Sequence, residues 1–308
     1  MGSAASLAAG AELTDAAALA AATETIQKII YENGSISTEN CGELLETYMA
    51  ISTKAKKYFP GAGPGSWILK NVVRVLKDYA INGENTLYSQ SLCPDEINHE
   101  VGDISTLLSG YLGEVFHLGG LAGIPFTGRT GFGAFSQHVP DGGNLFVLQA
   151  PHIGISASGE LGKYSRDGQH VDGSACGAAV SAFKQCCSDI AIPSAEDLGK
   201  DGSDYQMQYI ISEIAKRKES ITAKEGDSDA QQAELAMQTY AIGKEMLDKI
   251  VVDDFGNGKG YLVTLTGVQI NMPRPFEDFF CPLSFELQKK DQMVIDLMPK
   301  AFGWGAVP

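Results

Sequence analysis

Apolar and polar positions change period along the chain, and the change marks where helices give way to a sheet. Over residues 1–83 the spacing is helical: Thr14 can cap a helix running to about Tyr31, stopped by Asn33-Gly34. Ser37 or Thr38 starts a second helix that ends before Pro60. After the breaker run PGAGPG, the segment SWILKNVVRVLKDYA returns to helical spacing and ends at Asn82-Gly83. TLYSQSL (86–92) then reads as a short strand and NLFVLQA (144–150) as a buried one, with helical periodicity over 96–118 between them. Such a strand–helix–strand unit predicts a parallel sheet. Ser174 can cap a helix over 176–187, and residues 204–219 and 228–250 read as two amphipathic helices. VVDDFGNGKGYLVTLTGVQI looks like a turn feeding a final strand, while TGRTGFGAF and EDFFCPLSF read as loops, one Gly-rich and one aromatic-rich. There is no internal repeat. The expected organisation is a helical region, 1–83, packed on an α/β domain, 84–308, with a mainly parallel central sheet flanked by helices.

Bulk composition narrows the function classes. The 308 residues are 44% apolar and 20% charged, enough for one large α/β domain. A net charge of −15 repels phosphate backbones and anionic lipid, so nucleic acid and membrane surfaces are not expected partners. No apolar run approaches the roughly 18–20 residues needed to span a bilayer. The Ala-rich stretch 15–22 is short and flanked by Asp15 and Glu24, so it does not read as a signal peptide core. Six cysteines are too few for a disulfide scaffold and favour a reducing compartment. Cys41, Cys186 and Cys187 fall in predicted helices and read as small buried hydrophobes; Cys281 reads as structural.

Three other residues carry a pattern that suits a metal. Cys93 directly follows the strand 86–92, and His152 follows the strand 144–150, in QAPHIGIS. Sites in open α/β sheets gather at the carboxyl ends of strands, so both side chains can point into one crevice. Cys176, in DGSACGAA, opens a helix, where free backbone N–H groups and the helix dipole favour thiolate. Two thiolates and one imidazole match zinc, and three protein ligands leave the fourth tetrahedral position for water. Each residue taken singly also fits a buried structural role, because none has the local spacing of a zinc motif.

The runs SLCPDEIN (91–98), PFTGRTGFGAFSQHVPDGG (125–143), APHIGIS (150–156) and RDGQHVDGSACGAA (166–179) resemble the core of the low-CO2-inducible protein B family of algae and diatoms. The resemblance implies a β-carbonic-anhydrase-like fold, a Cys-His-Cys zinc site on Cys93, His152 and Cys176, and interconversion of CO2 and bicarbonate. Asp95 stands two residues after Cys93, as in the Cys-x-Asp-Ser-Arg motif of ordinary β-carbonic anhydrases. There the Asp accepts a hydrogen bond from the hydroxide at the metal and is held by an Arg. Here position 97 is Ile, and the second thiolate lies well downstream of His152 instead of close behind it. The partner of Asp95 must come from elsewhere: Arg129 is the first expectation and Arg166 the second. Phe126, Phe132 and Phe135 are candidates for an apolar pocket and His138 for a proton shuttle, although core and loop roles fit them equally. The resemblance further implies a homodimer or larger oligomer, with itself or a related subunit, in the chloroplast stroma or at the pyrenoid periphery, serving a CO2-concentrating mechanism.

Two readings beside the enzyme stay open: a catalytically inactive zinc-binding subunit acting through assembly with partners, and a structural zinc with Asp95 as fourth ligand. Elsewhere, GNGKGY (256–261) lacks the spacing of a phosphate loop, and GISASG (154–159) lacks that of a nucleophile elbow.

Overall fold

The computed structural model describes residues 38–100, 102–251, 260–289 and 292–303. The helix expected from Thr14 to Tyr31 and most of GNGKGY lie outside the described residues. Helix α1 (Thr38–Tyr58) stops before Pro60, and α2 (Gly65–Lys77) follows the PGAGPG break. One stripe of α2, carrying Ile68, Val72, Val75 and Leu76 at helical spacing, is buried. Between the two helices, β1 (Gly63–Pro64) pairs with a strand near the end of the chain, so the sheet already begins inside the region expected to be helical.

The central sheet is built on β2 (Thr86–Ser91), β3 (Val115–His117), β4 (Asn144–Gln149), β5 (His152–Gly154), β8 (Leu262–Asn271) and β9 (Phe279–Gln288). Strands run in the order β1-β9-β8-β4-β2-β3. The pairs β3–β2, β2–β4, β4–β8 and β5–β8 are parallel, whereas β9 pairs with β8 in the antiparallel sense. β10 (Ile295–Asp296) adds to β9, also antiparallel. This is the mixed α/β fold, a central sheet flanked by helices, that the strand–helix–strand reading implied.

Three local expectations change. The helical stretch 96–118 divides into a 3₁₀ turn (Glu96–His99), helix α3 (Ile104–Leu112) and strand β3, because Gly113, at φ 100°, ends the helix. β8 is not the last strand: EDFFCPLSF contributes most of β9, with Phe279, Phe280, Cys281, Leu283 and Phe285 all buried. Both sheet faces are covered at its start, so Phe279 to Leu283 run apolar with no alternation to read. TGRTGFGAF is likewise no loop, since Gly128–Gln137 forms helix α4. Phe132 and Phe135 sit one turn apart on its buried side, and this burial overrides the poor helix propensity of Gly131 and Gly133.

Helices α5 (Gly177–Cys186), α6 (Tyr205–Ala215), α7 (Lys218–Thr222) and α8 (Ser228–Ile250) follow, with α9 (Met298–Phe302) near the end. Asp227 caps α8 by accepting the Ala230 N–H at 3.0 Å. Cys186 and Cys281 are buried as expected, but Cys187 is exposed because α5 ends beside it. The side chain of Cys41 lies outside the described residues. Among the described residues no helix is long and apolar enough to cross a membrane.

Gly123 sets how closely the loop after β3 approaches the ends of β2 and β4. Its φ is 71°, and a Cβ there would lie 2.1 Å from the carbonyl oxygen of Ala150. Its own carbonyl accepts from Ser91 Oγ at 3.0 Å and Gln149 Nε2 at 3.3 Å, clamping both strand ends. Gly142 has the same φ of 71° with open space around it. Gly142→Ala should therefore cost about 1 kcal/mol from backbone strain alone. Gly123→Ala should cost about 1–3 kcal/mol more, because the chain must also move. Urea unfolding of the two variants measures the difference; equal losses would contradict the clamp.

Candidate metal centre

Parallel pairing decides which residues meet. Because β2 and β4 run the same way in register, Ser91 opposite Gln149, their carboxyl ends lie side by side. Leu92 and Cys93 continue from β2, and Pro94, which has no N–H to offer a ladder, turns the chain away. β4 is interrupted at Ala150-Pro151, and β5 resumes on the same neighbour, β8, opposite Gln269. The register to β8 is unchanged across the interruption, with Gln149 opposite Thr266 and His152 opposite Gln269. His152 is thereby buried at the sheet's end, 3% exposed.

Cys176 arrives by a third route. The hairpin of β6 (Lys163–Tyr164) and β7 (Gly173–Ser174) leads directly into α5, and Cys176 is the residue that caps this helix. The Gly154 N–H donates to the Ala175 carbonyl at 3.1 Å, which ties the helix entry to β5 beside His152. Ser174, the expected cap, lies in the hairpin instead.

The outcome is one buried cluster. The sulfurs of Cys93 and Cys176 are 3.9 Å apart, and the ligand atoms of Cys93, His152 and Cys176 all lie within 4.8 Å of one another. Among the described residues this is the group of its kind able to hold a metal ion. Two sulfurs each about 2.3 Å from one zinc at a tetrahedral angle would stand about 3.8 Å apart. His152 Nε2 is buried with no hydrogen-bond partner, as a lone pair reserved for a metal would be. The donor set, two sulfurs and one imidazole nitrogen in a dry pocket, fits zinc.

The two thiols are shifted in opposite directions. Hydrogen bonding with Cys93 pulls the Cys176 thiol down against the effect of burial, helped by the backbone N–H groups of Ala178 and Ala179 at the start of α5. The same contact, with burial, pushes Cys93 up. The downward direction agrees with what the position of Cys176 at a helix start suggested, although the Cys93 contact is the larger cause.

Asp95 stands at the rim, its Oδ2 3.8 Å from His152 Nε2. It is paired with Arg166, whose Nη2 donates to Asp95 Oδ1 at 2.7 Å while Nε donates to Glu96 Oε1 at 2.6 Å. Arg129 is placed elsewhere: it is exposed on α4 and donates from Nε to the Lys249 carbonyl at 3.2 Å, near the carboxyl end of α8. The cation beside Asp95 is therefore the second expectation, not the first. The Gly-rich run that suggested Arg129 is helical: its Phe132 and Phe135 pack with Leu247 and Ile250 of α8, and Arg129 reaches only the end of that helix. Arg166 sits on the β6–β7 hairpin, the same hairpin that delivers Cys176, so one short element supplies a ligand and the cation together.

The aromatic candidates separate as well. Phe132 and Phe135 belong to a core with Leu118, Leu145 and Val147, whereas Phe126 packs against the cluster that contains Cys93 and Cys176. His138 is exposed at the end of α4, near the Phe116 ring. A small cavity of about 10 Å³ borders His152 and Cys176, walled by Ala179, Val180, Leu235 and Ala236. It has room for about one water-sized molecule.

The model of the family of limiting CO2-inducible proteins B/C, β-carbonic anhydrases, matches residues 62–289. The chain belongs to this family. The crystal structure of PtLCIB4, a homolog of the limiting CO2-inducible protein LCIB, is 28% identical with a TM-score of 0.70, over 79% of this chain and 98% of that one. The structure of a histidine-to-alanine mutant of that homolog is 27% identical with a TM-score of 0.72, over 81% and 99%. LCIB itself, at 21% identity and a TM-score of 0.57 over 78% and 96%, shares the fold. No curated protein matches the chain by sequence. This carbonic-anhydrase-like family member thus carries a Cys-His-Cys cluster at the carboxyl ends of its parallel strands.

Behind the cluster the structure reveals polar groups that the sequence did not single out. Asn271, at the end of β8, meets His152, and Asp278 meets Asn271. Asp278 faces Asp103, and burial raises both carboxyls, Asp103 to about 6. An acid whose folded pKa is raised binds protons more tightly when folded, so stability is present below its unfolded value near 3.9 and is lost as pH rises towards 6. Asp103→Asn removes the charge and leaves an oxygen for the Glu100 N–H that Asp103 Oδ2 accepts at 2.9 Å. The variant should melt at a higher temperature than the parent at pH 7, and the gain should vanish near pH 4. A destabilised variant at pH 7 would show that the carboxylate is needed there.

Proposed function

We propose that this chain is a zinc-dependent carbonic anhydrase interconverting CO2 and bicarbonate, with Cys93, His152 and Cys176 as the zinc ligands. The observation that carries the proposal is the pairing of Asp95 with Arg166 at the rim of a three-ligand cluster. When bound, zinc acidifies a coordinated water towards pH 7 and so supplies hydroxide near neutrality. The chain's own residues set the rest of the chemistry. Arg166 neutralises Asp95 and holds its Oδ1, which would keep the carboxylate from taking the fourth position of a bound zinc. Asp95 Oδ2, on the side of His152, is then free to accept a hydrogen bond and orient the nucleophile. A guanidinium suits this role because it stays charged and offers two donors in a fixed fork, here used on Asp95 and Glu96.

The apolar wall of Ala179, Val180, Leu235 and Ala236 supports a small nonpolar substrate such as CO2. It also keeps bulk water from the sulfurs, which strengthens every charge interaction within the site. The family's induction by limiting CO2 supports a part in inorganic-carbon supply, in the chloroplast setting that the resemblance implies.

Zinc analysis together with stopped-flow CO2 hydration tests the proposal. The purified protein should hold about one zinc per chain, lost largely in Cys176→Ser and His152→Ala, and chelation should lower its melting temperature. Arg166→Ala should retain zinc while losing at least about 100-fold in hydration rate, the scale of a positioned electrostatic group. Arg129→Ala should leave the rate within a few-fold of the parent. Full zinc in both ligand variants would remove the ligand assignment. A zinc-loaded protein with no hydration activity would favour the inactive assembly subunit.

A further inference from the structure

His152 can bind a metal through Nε2 only if that nitrogen is free of its proton. In a neutral imidazole one nitrogen carries hydrogen and the other a lone pair, so the partner of Nδ1 decides the matter. Here the partner is the side-chain oxygen of Asn271, 2.8 Å from Nδ1. An amide can be turned either way, and the question is what prevents it from presenting its NH2 group to the ring.

Its other surroundings do. The Nδ2 end of Asn271 lies 3.0 Å from the backbone carbonyl of Ile97 and 2.7 Å from Asp278 Oδ2. A main-chain carbonyl can only accept, so the atom facing it must be the NH2. Asn98 Oδ1, at 3.3 Å, is a third acceptor on the same side. Asp278 is held in turn by the Met272 N–H, which donates to its Oδ1 at 2.6 Å. Asn271 is fully buried, and no water is needed to complete these contacts. Turning the amide would set its oxygen against the Ile97 carbonyl and against the Asn98 side-chain oxygen, which is itself oriented by the donation of Asn98 Nδ2 to the Cys93 carbonyl. That penalty, the desolvation cost of unmet buried polar groups, makes the orientation one-sided.

We infer that Asn271 is a positioning residue for the metal: braced by the Ile97 carbonyl and Asp278, it fixes His152 as the Nδ1–H tautomer and leaves Nε2 bare toward Cys93 and Cys176. The unpartnered, buried Nε2 is the visible consequence. The loop after β2 that carries Cys93 also supplies Ile97, so the segment delivering one ligand dictates the tautomer of another. This rests on the zinc reading for its purpose, but the tautomer itself is a property of the protein alone.

The test separates the two. ¹⁵N-histidine NMR of the purified protein before and after chelation, with His152 assigned by the signals lost in His152→Ala, should show protonated Nδ1 and unprotonated Nε2 in both states. Asn271→Leu removes the acceptor at similar volume. It should shift the metal-free ring towards the Nε2–H form and weaken zinc binding about 10–100-fold, the usual scale for loss of a group that orients a metal-bound histidine. Asn271→Asp keeps an oxygen able to accept from His152 Nδ1–H. It should therefore retain the Nδ1–H tautomer and bind zinc within a few-fold of the parent, even though both variants lose stability. A merely structural Asn271 would make zinc affinity follow melting temperature in both. An Nε2–H ring in the parent protein, or parental zinc affinity in Asn271→Leu, would overturn the inference. If neither variant folds, the parent spectrum alone decides. A protein that binds no zinc yet shows the Nδ1–H ring would refute the zinc reading and leave the tautomer assignment standing.

Discussion

Two sulfurs and a ring nitrogen within 4.8 Å of one another, all buried, is a demanding arrangement, and the parallel pairing of β2, β4 and β8 makes it possible. Parallel strands end on the same side, so residues far apart in sequence, just after β2 and just after β4, become neighbours without any local motif. Across the break at Ala150-Pro151 the register to β8 is kept, and His152 lies buried at the sheet's end. Gly123 sets the loop behind both strand ends close against them. Remove the parallel register and the ligand set has no other means of assembly.

Charge placement follows from that frame. The protein as a whole is strongly negative, yet the rim of the cluster is organised around one cation, Arg166, which bridges Asp95 and Glu96 at 2.7 Å and 2.6 Å. Both carboxylates come from the same turn after Cys93, and without a cation they would repel each other and crowd the thiolates. Arg166 and Cys176 share a hairpin, so the cation and the second sulfur move as a unit against the sheet. Behind the site the logic is different. Among the described residues no cation pairs with Asp278 or Asp103, and burial keeps their carboxyls towards the neutral form. The front of His152 is thus governed by charge, and the back by the direction of hydrogen bonds.

Much of the site was legible because its ligands obey rules that act locally. Cys93 and His152 stand just after runs that read as strands, and Cys176 stands where a helix begins, so each position marks the end of an element. The quoted runs around them carry the family likeness, which the match over residues 62–289 bears out. Arg166 was within one of those runs, but its polar neighbours suit a solvent loop equally well, and nothing in KYSRDGQ shows that the hairpin folds back over the metal cluster. Arg129 drew attention because glycine-rich runs suggest close approach. What the run hides is the Phe132–Phe135 spacing, whose burial makes it a helix.

The sequence by itself determined the α/β class and the element ends on which Cys93, His152 and Cys176 sit, because periodicity, breakers and helix starts are properties of a few neighbouring residues; the family likeness singled those three out together. Tertiary structure alone decided which arginine meets Asp95, that EDFFCPLSF adds an antiparallel strand, and that Asn271 and Asp278 stand behind His152. Those outcomes depend on strand order and on contacts between distant residues, such as Asp95 with Arg166, 71 positions apart, and His152 with Asn271, 119 apart. A side chain's own neighbours in sequence carry no record of such a partner, since the contact exists only after the sheet has closed.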